Sequence, residues 1–270
     1  MPYIRYNMLT NNQQNDYNKN GYVILTDLYT EEEKKLLFNA ISEIENWPEE
    51  KLKWMKYYEI NKTTGQKQLC RTENFIDHHE ILRHLLTKKE LFDILERLVG
   101  ESVFIYKDKI NFKYPGANGF AAHQDAPAFM AQGQSNHITV LVAIDEATVN
   151  NGCLEFVMNN KNIWQNKILL EHNQKGAIKN TENFHWKPVP LKPGDVVIFG
   201  SYLPHRSGPN LTNSARKTLY ITYNPISEGN KRKQYYEDKR KYFPPDNEKE
   251  IGKDYSEGAK IYNLANPIIF

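Results

Sequence analysis

The sequence predicts an α+β protein, mainly β, with a jelly-roll core behind a helical start. Helix-type periodicity is confined to the stretch before Gly100, whereas beyond Val103 short apolar runs alternate with Gly, Pro and Asn turns. About eight such runs follow, the number that suits a jelly roll. The chain carries 17 Tyr and 12 Phe and little Ala, which favours pleated, half-buried strands over a helix bundle. Cores of this kind often run to 270 residues as one unit, so a single domain is expected over 1–270: a helical scaffold at 1–100, a β core at 101–226 and a C-terminal surface segment at 227–270.

Residues 21–29, GYVILTDLY, read as a short strand. Thr30 then opens a helix, with Glu33 as its reciprocal cap. Leu36, Leu37, Ala40, Ile41 and Ile44 give that helix one apolar stripe, and Pro48 stops it. Residues 51–76 read as irregular chain or short strands around a polar centre, Cys70-Arg71-Thr72-Glu73-Asn74. A second helical region begins near Asp77. Within it, Thr87 and Glu90 form a capping box ahead of Leu91, Ile94, Leu95 and Leu98, and Gly100 closes it. Strands are expected near 103–113, 119–125, 136–144, 152–158, 187–190, 195–200, 204–208 and 216–224. The loop 159–187 is long for a compact domain, as a lid over a ligand would be. After Asn224 the stretch EGNKRKQYYEDKRKYFPPD suits a surface helix ended by Pro244 and Pro245.

Composition excludes several function classes. A net charge of +2 and a pI near 8.3 give no general attraction for nucleic acid or an anionic membrane. The basic run Lys231–Arg240 is diluted by Glu237 and Asp238. No apolar stretch is long enough to span a membrane, and the N-terminus lacks the apolar core of a secretory signal, so a cytoplasmic location is expected. Cys70 and Cys153 have neither metal-type nor redox-type spacing and read as free thiols.

The chemistry gathers around Tyr106–Asp125, YKDKINFKYPGANGFAAHQD, which reads as a β-hairpin ending in a His-x-Asp pair. A strand places residues i and i+2 on one face, so His123 and Asp125 would project together while Gln124 points away. Such a pair alone is a weak signal, because chance produces it readily. His205, in YLPHRSGPN after the apolar run VVIFG, is the best-placed third ligand; taken by itself it could equally be a strand-end histidine bonded to backbone. Two His and one carboxylate on one side of an ion leave three positions open, the facial arrangement of non-haem Fe(II) oxygenases. An oxygenase using a 2-oxo acid needs a cation for the distal carboxylate, and Arg216 lies at the start of the next strand. Ser207 shares the face of His205 and could donate a second hydrogen bond. Lys107, Lys109, Asn111 and Lys113 alternate along one face of their strand. That face either meets solvent, where the lysines only add solubility, or lines a cavity, where Lys107 and Lys109 suit a phosphonate or carboxylate. The other histidines lack a spaced partner and read as structural.

Together HQD, PHRS and the following Arg resemble the phytanoyl-CoA dioxygenase superfamily of Fe(II)/2-oxoglutarate oxygenases over nearly the whole chain. KDKINFKYPGANGFAAHQDAPAF, AIDEATVNNGCLEFV, YLPHRSGPN and YYEDKRKYFPPD most resemble the subgroup that hydroxylates aminoethylphosphonate and its N-methylated relatives. The resemblance implies a double-stranded β-helix, cupin-like core, with Fe(II) held by His123, Asp125 and His205. It further implies 2-oxoglutarate on Arg216, Ser207 and Asn111, and O2 as the second cosubstrate. An acidic residue at 125 leaves no room for the chloride of a halogenase. The chain departs from the family where a PGSH-like segment is common after the CLE strand; here Val157-Met158-Asn159-Asn160 stands instead. The expected partner is a small polar, anionic molecule, aminoalkylphosphonate above others, turned over by a monomer or homodimer without nucleic acid or membrane. The rival readings are a biosynthetic oxygenase of an amino acid or secondary metabolite and a non-catalytic jelly-roll binding protein.

Overall fold

The computed structural model describes residues 9–130, 133–159 and 161–269. The chain opens with helix α1 (Asn11–Asn20), capped by Thr10 and Gln13 reciprocally and ended by Gly21 in the left-handed region at φ 82°. The sequence reading misses this helix because Tyr17 is its only buried side chain, which leaves no apolar period to detect. Strand β1 (Tyr22–Leu25) follows, then α2 (Glu31–Asn46) with the expected Thr30–Glu33 capping box. Leu37, Ala40, Ile41 and Ile44 are buried, but Leu36 is not: it falls at the edge of the stripe.

Two strands occupy the next stretch, β2 (Met55–Ile60) and β3 (Lys67–Glu73). Helices α3 (Glu80–Leu86) and α4 (Lys89–Val99) come next. Thr87 does not cap α4, whose N-cap is Lys88; its hydroxyl instead donates to the Arg83 carbonyl at the end of α3. The break between the helices leaves Thr87 on the wrong side of the boundary.

The remaining core strands are β4 (Val103–Lys113), β5 (Phe120–His123), β6 (Ile138–Ala143), β7 (Leu154–Val157), β8 (Trp186–Val189), β9 (Val196–Gly200), β10 (His205–Ser207) and β11 (Arg216–Pro225). These are the eight strands expected. Short helices α5 (Ala126–Met130) and α6 (Lys161–Gln165) interrupt them, and α7 (Arg232–Tyr242) and α8 (Ser256–Tyr262) close the chain.

The strands form two antiparallel sheets. The larger runs β1-β9-β6-β11-β4-β3-β2 and the smaller β5-β10-β7-β8. Structures of this kind form a jelly roll, with Leu141, Phe156, Val197, Phe199 and Leu203 packed between the sheets. The outer face of the large sheet carries Ile110, Phe112, Val140, Val142, Ile198 and Leu219, and packs against α2, α3 and α4. Covered on both faces, β6 reads as the unbroken apolar run ITVLVA rather than an alternation.

Tyr106–Asp125 is not a hairpin: β4 pairs with β3 and β11, whereas β5 pairs with β10 in the other sheet. The PGANG turn carries the chain across the jelly roll, and a Cβ on Gly119 would lie 2.6 Å from the Ser207 carbonyl oxygen. Within 1–100, β1, β2 and β3 extend the large sheet beside the helices. Among the described residues no helix is long and apolar enough to cross a membrane.

Candidate active site

β5 and β10 lie side by side in the small sheet, and their register sets His205 directly opposite His123. The strand ends at His123, so Asp125 is not its i+2 neighbour on a pleat; it sits in the bend before α5. The bend nevertheless returns the carboxylate to the imidazoles. Asp125 Oδ1 lies 3.7 Å from His123 Nε2 and 4.0 Å from His205 Nε2, and one ligand atom from each of the three residues falls within 4.8 Å of the others. The Gln124 side chain bonds the Ile168 and Tyr202 carbonyls and the Leu170 amide, tying residues 168–170 to the end of β5.

Each imidazole is oriented by its own backbone. His123 Nδ1 meets the Ala121 carbonyl at 2.7 Å and His205 Nδ1 meets that of Leu203 at 2.9 Å. A carbonyl only accepts, so Nδ1 carries the proton and Nε2 keeps its lone pair. Burial pushes the His123 imidazole down to about 3 and lowers that of His205, so both are neutral at ordinary pH. Burial would raise the Asp125 carboxyl, but His205, Lys109, His123 and Lys107 around it win and hold it below the usual carboxylate range. Two neutral imidazoles and an ionised carboxylate suit a divalent cation without rearrangement.

The same three residues border a cavity between the sheets, which Arg216, Ser207 and Asn111 also line. Arg216 is buried, donates to the Gly152 carbonyl at 2.6 Å and to Thr218 Oγ1, and its Nε has no partner among the described residues. An orphaned guanidinium donor of this kind fits an incoming carboxylate. Ser207 Oγ accepts from Lys113 Nζ at 2.9 Å, which leaves its own O–H free to donate. Asn111 Oδ1 accepts from Arg71 Nε at 2.9 Å, so its amide N–H groups are the ones left for a ligand.

Lys107 and Lys109 also line this cavity. Lys107 Nζ stands 3.7 Å from Glu73 and 5.4 Å from the centre of the Tyr235 ring; Lys109 Nζ stands 4.8 Å from that of Tyr220. Burial pushes the Lys109 ammonium down to about 7 despite the nearby Asp125 charge. The site thus brings two buried lysines and a metal-ready triad to one cavity.

Several lining residues escape the sequence reading. Arg71 belongs to the polar centre singled out above, yet it receives no role there; its alternation with Glu73 on one strand face is the signal that could have placed it. Tyr235, Tyr262, Leu264 and Asn266 come from the C-terminal segment expected to be mere surface. The helix α7 does stop just before Pro244 and Pro245, but Tyr235, Tyr236 and Lys239 are buried. Mixed charge hides this face, because Lys239 is buried as one half of an ion pair with Glu73 at 2.6 Å.

A family model described as phytanoyl-CoA dioxygenase (PhyH) matches residues 17–218. The chain is 41% identical over 261 residues to the 2-aminoethylphosphonate dioxygenase of uncultured bacterium HF130_AEPn_1, covering 96% of this chain and 98% of the relative. It is 41% identical over 237 residues to the methylphosphonate hydroxylase of Gimesia maris, covering 87% and 88%. Among solved structures, EctD from S. alaskensis with 2-oxoglutarate and 5-hydroxyectoine superposes with a TM-score of 0.66 at 19% identity, over 81% of this chain and 77% of that one. At such identity the likeness speaks for the fold.

Proposed function

The chain belongs to the phytanoyl-CoA dioxygenase (PhyH) family, and from that premise we propose that it is an Fe(II)- and 2-oxoglutarate-dependent dioxygenase hydroxylating a small phosphonate, an aminoalkylphosphonate above others. The observation that carries this reading is one cavity bordered by the His123, Asp125 and His205 triad, by Arg216, and by Lys107 and Lys109. Bound iron, with 2-oxoglutarate and O2, supplies the oxidising power for an unactivated C–H bond.

The protein's own residues bind, orient and keep water out. His123 Nε2, His205 Nε2 and an Asp125 oxygen would hold the metal from one side, leaving the opposite side for cosubstrate and oxygen. Arg216 would take the distal carboxylate of 2-oxoglutarate on its unpaired donor, with Ser207 O–H beside it. The Asn111 amide would donate to the other end, since Arg71 already fixes which way it faces. Lys107 and Lys109 would receive the phosphonate. An arriving dianion restores the charge that burial takes from Lys109 and offsets the cost of burying both ammonium groups.

The chemistry is local, so the reading has a direct test. Anaerobic titration should show Fe(II) and 2-oxoglutarate binding together. A panel of methyl-, ethyl- and aminoethylphosphonate, amino acids and acyl thioesters is then scored for succinate and hydroxylated product. Coupled turnover confined to phosphonates is the expected result; coupled turnover of an amino acid or acyl thioester alone would replace the substrate class while keeping the oxygenase.

A further inference from the structure

In this reading Arg71 orients Asn111 and itself touches neither substrate nor cosubstrate. Arg71 lies on β3 opposite Asn111 of β4, with its side chain 2% exposed and lining the cavity. A guanidinium has five N–H donors. Three are used among the described residues: Nε to Asn111, one terminal nitrogen to Glu73 Oε1 at 3.3 Å, and the other to Asn266 Oδ1. Each terminal nitrogen keeps one N–H. Glu73 does not cancel the charge, because this single carboxylate also faces Lys239 at 2.6 Å and Lys107 at 3.7 Å.

Asn266 reaches Arg71 from a strap that follows α8. The Ala265 carbonyl accepts from the Ala121 amide of β5 at 3.1 Å, the Ala265 amide donates to Lys175 at 2.7 Å, and the Ile269 amide donates to Tyr58 at 3.0 Å. Asn266 Nδ2 donates to the Leu264 carbonyl at 2.6 Å, so the amide oxygen is the end that faces Arg71. This strap lies beyond residue 218, where the match to the family model ends.

We propose that Arg71 is a specificity-determining residue that receives the substrate's anionic head together with Lys107 and Lys109, and that Asn266 is its positioning residue. Three cationic groups around one pocket match an anion with three oxygens. A carboxylate brings two coplanar oxygens and one charge where a phosphonate brings three splayed oxygens and up to two charges, so the arrangement favours a tetrahedral dianion. The inference rests on the reading that the anionic substrate enters this cavity.

The test uses the full chain loaded with Fe(II) and 2-oxoglutarate. Arg71→Lys should raise the KM for 2-aminoethylphosphonate roughly ten- to hundredfold, the worth of a hydrogen bond to a charged group. The KM for 2-oxoglutarate should rise much less, through Asn111 alone, and the preference for the phosphonate over its carboxylate analogue 3-aminopropanoate should shrink. Asn266→Asp separates recognition from support, because it keeps the contact to Arg71 while neutralising it. Phosphonate KM should therefore rise at least as far as in Asn266→Ala, with the thermal midpoint retained. A near-native Asn266→Asp enzyme, or a loss confined to 2-oxoglutarate, would make Arg71 structural or cosubstrate-bound and overturn the proposal. If the wild type turns over no phosphonate, the substrate reading falls on its own, and calorimetry with inorganic phosphate still decides Arg71. Phosphate binding by the wild type but by neither Arg71→Lys nor Asn266→Asp supports it; no binding by the wild type, or equal binding by all three, sinks it.

Discussion

His123 and His205 are committed to one tautomer before any metal arrives, because a backbone carbonyl two residues earlier takes each Nδ1 proton. The only ionised ligand is Asp125, which makes it the residue on which cation affinity turns. Asp125→Ala is expected to abolish Fe(II) binding and succinate release while leaving the far-ultraviolet circular dichroism unchanged; lost ellipticity would reveal a structural residue instead. Arg216 lines the same cavity with a buried donor to spare. Removing one partner of a buried charge pair costs about 2–5 kcal/mol, so Arg216→Ala should raise the apparent 2-oxoglutarate constant by roughly thirtyfold or more. Steady-state kinetics at saturating iron checks this, and an unchanged constant would move the role elsewhere.

At the scale of elements, two contacts decide whether those residues meet. β5 and β10 approach closely because Gly119 lets the Ser207 carbonyl in. Gly119→Ala has nowhere to put its methyl except against rigid backbone, so the strands must part and the two imidazoles with them. Weaker Fe(II) binding at near-normal secondary structure is the expected outcome of anaerobic titration. The second contact joins β3 to α7 through Glu73 and Lys239, both fully buried. Lys239→Met leaves Glu73 short of its nearest cation and should destabilise the fold by about 3–5 kcal/mol in chemical denaturation.

The same pair sets a response to acid. Burial alone would raise the Glu73 carboxyl, but Lys107, Lys239 and Arg71 outweigh it and hold the group below its ordinary value of 4.5. A depressed carboxyl stabilises the folded state fully above that value and progressively less as pH falls below it towards the folded value. Wild type should therefore lose stability below pH 4.5, and Glu73→Gln, already destabilised at neutral pH, should show a shallower decline over that window. Parallel curves from pH-dependent denaturation would assign the acid response to other carboxylates.

Across the whole molecule, ligand binding and folding are linked, because the triad comes from β5, the bend after it and β10 and exists only when the small sheet is assembled. Fe(II) at a hundred times its dissociation constant should stabilise the folded state by about 2.7 kcal/mol. Scanning calorimetry under argon is expected to show this rise in the wild type and not in Asp125→Ala.

How much of this was legible follows from the range of each interaction. The eight core strands and the Thr30–Glu33 cap are written in local pattern: alternation, turn residues and a capping pair. Such signals depend on neighbours within a few positions, so a single chain displays them. Lys107 and Lys109 could be placed on one face by period alone, but whether that face met solvent was undecidable until β11 and β3 flanked their strand. The misread parts are those whose meaning comes from contact. Lys239 looks like a surface charge until Glu73 lies beside it, and the C-terminal segment looks like an appendage until Asn266 meets Arg71. By itself the sequence determined the core strands, the candidate residues and the sign of their charges. Only the tertiary structure decided which sheet each strand joined and which charges were buried together, because burial and pairing arise between residues that the chain keeps far apart.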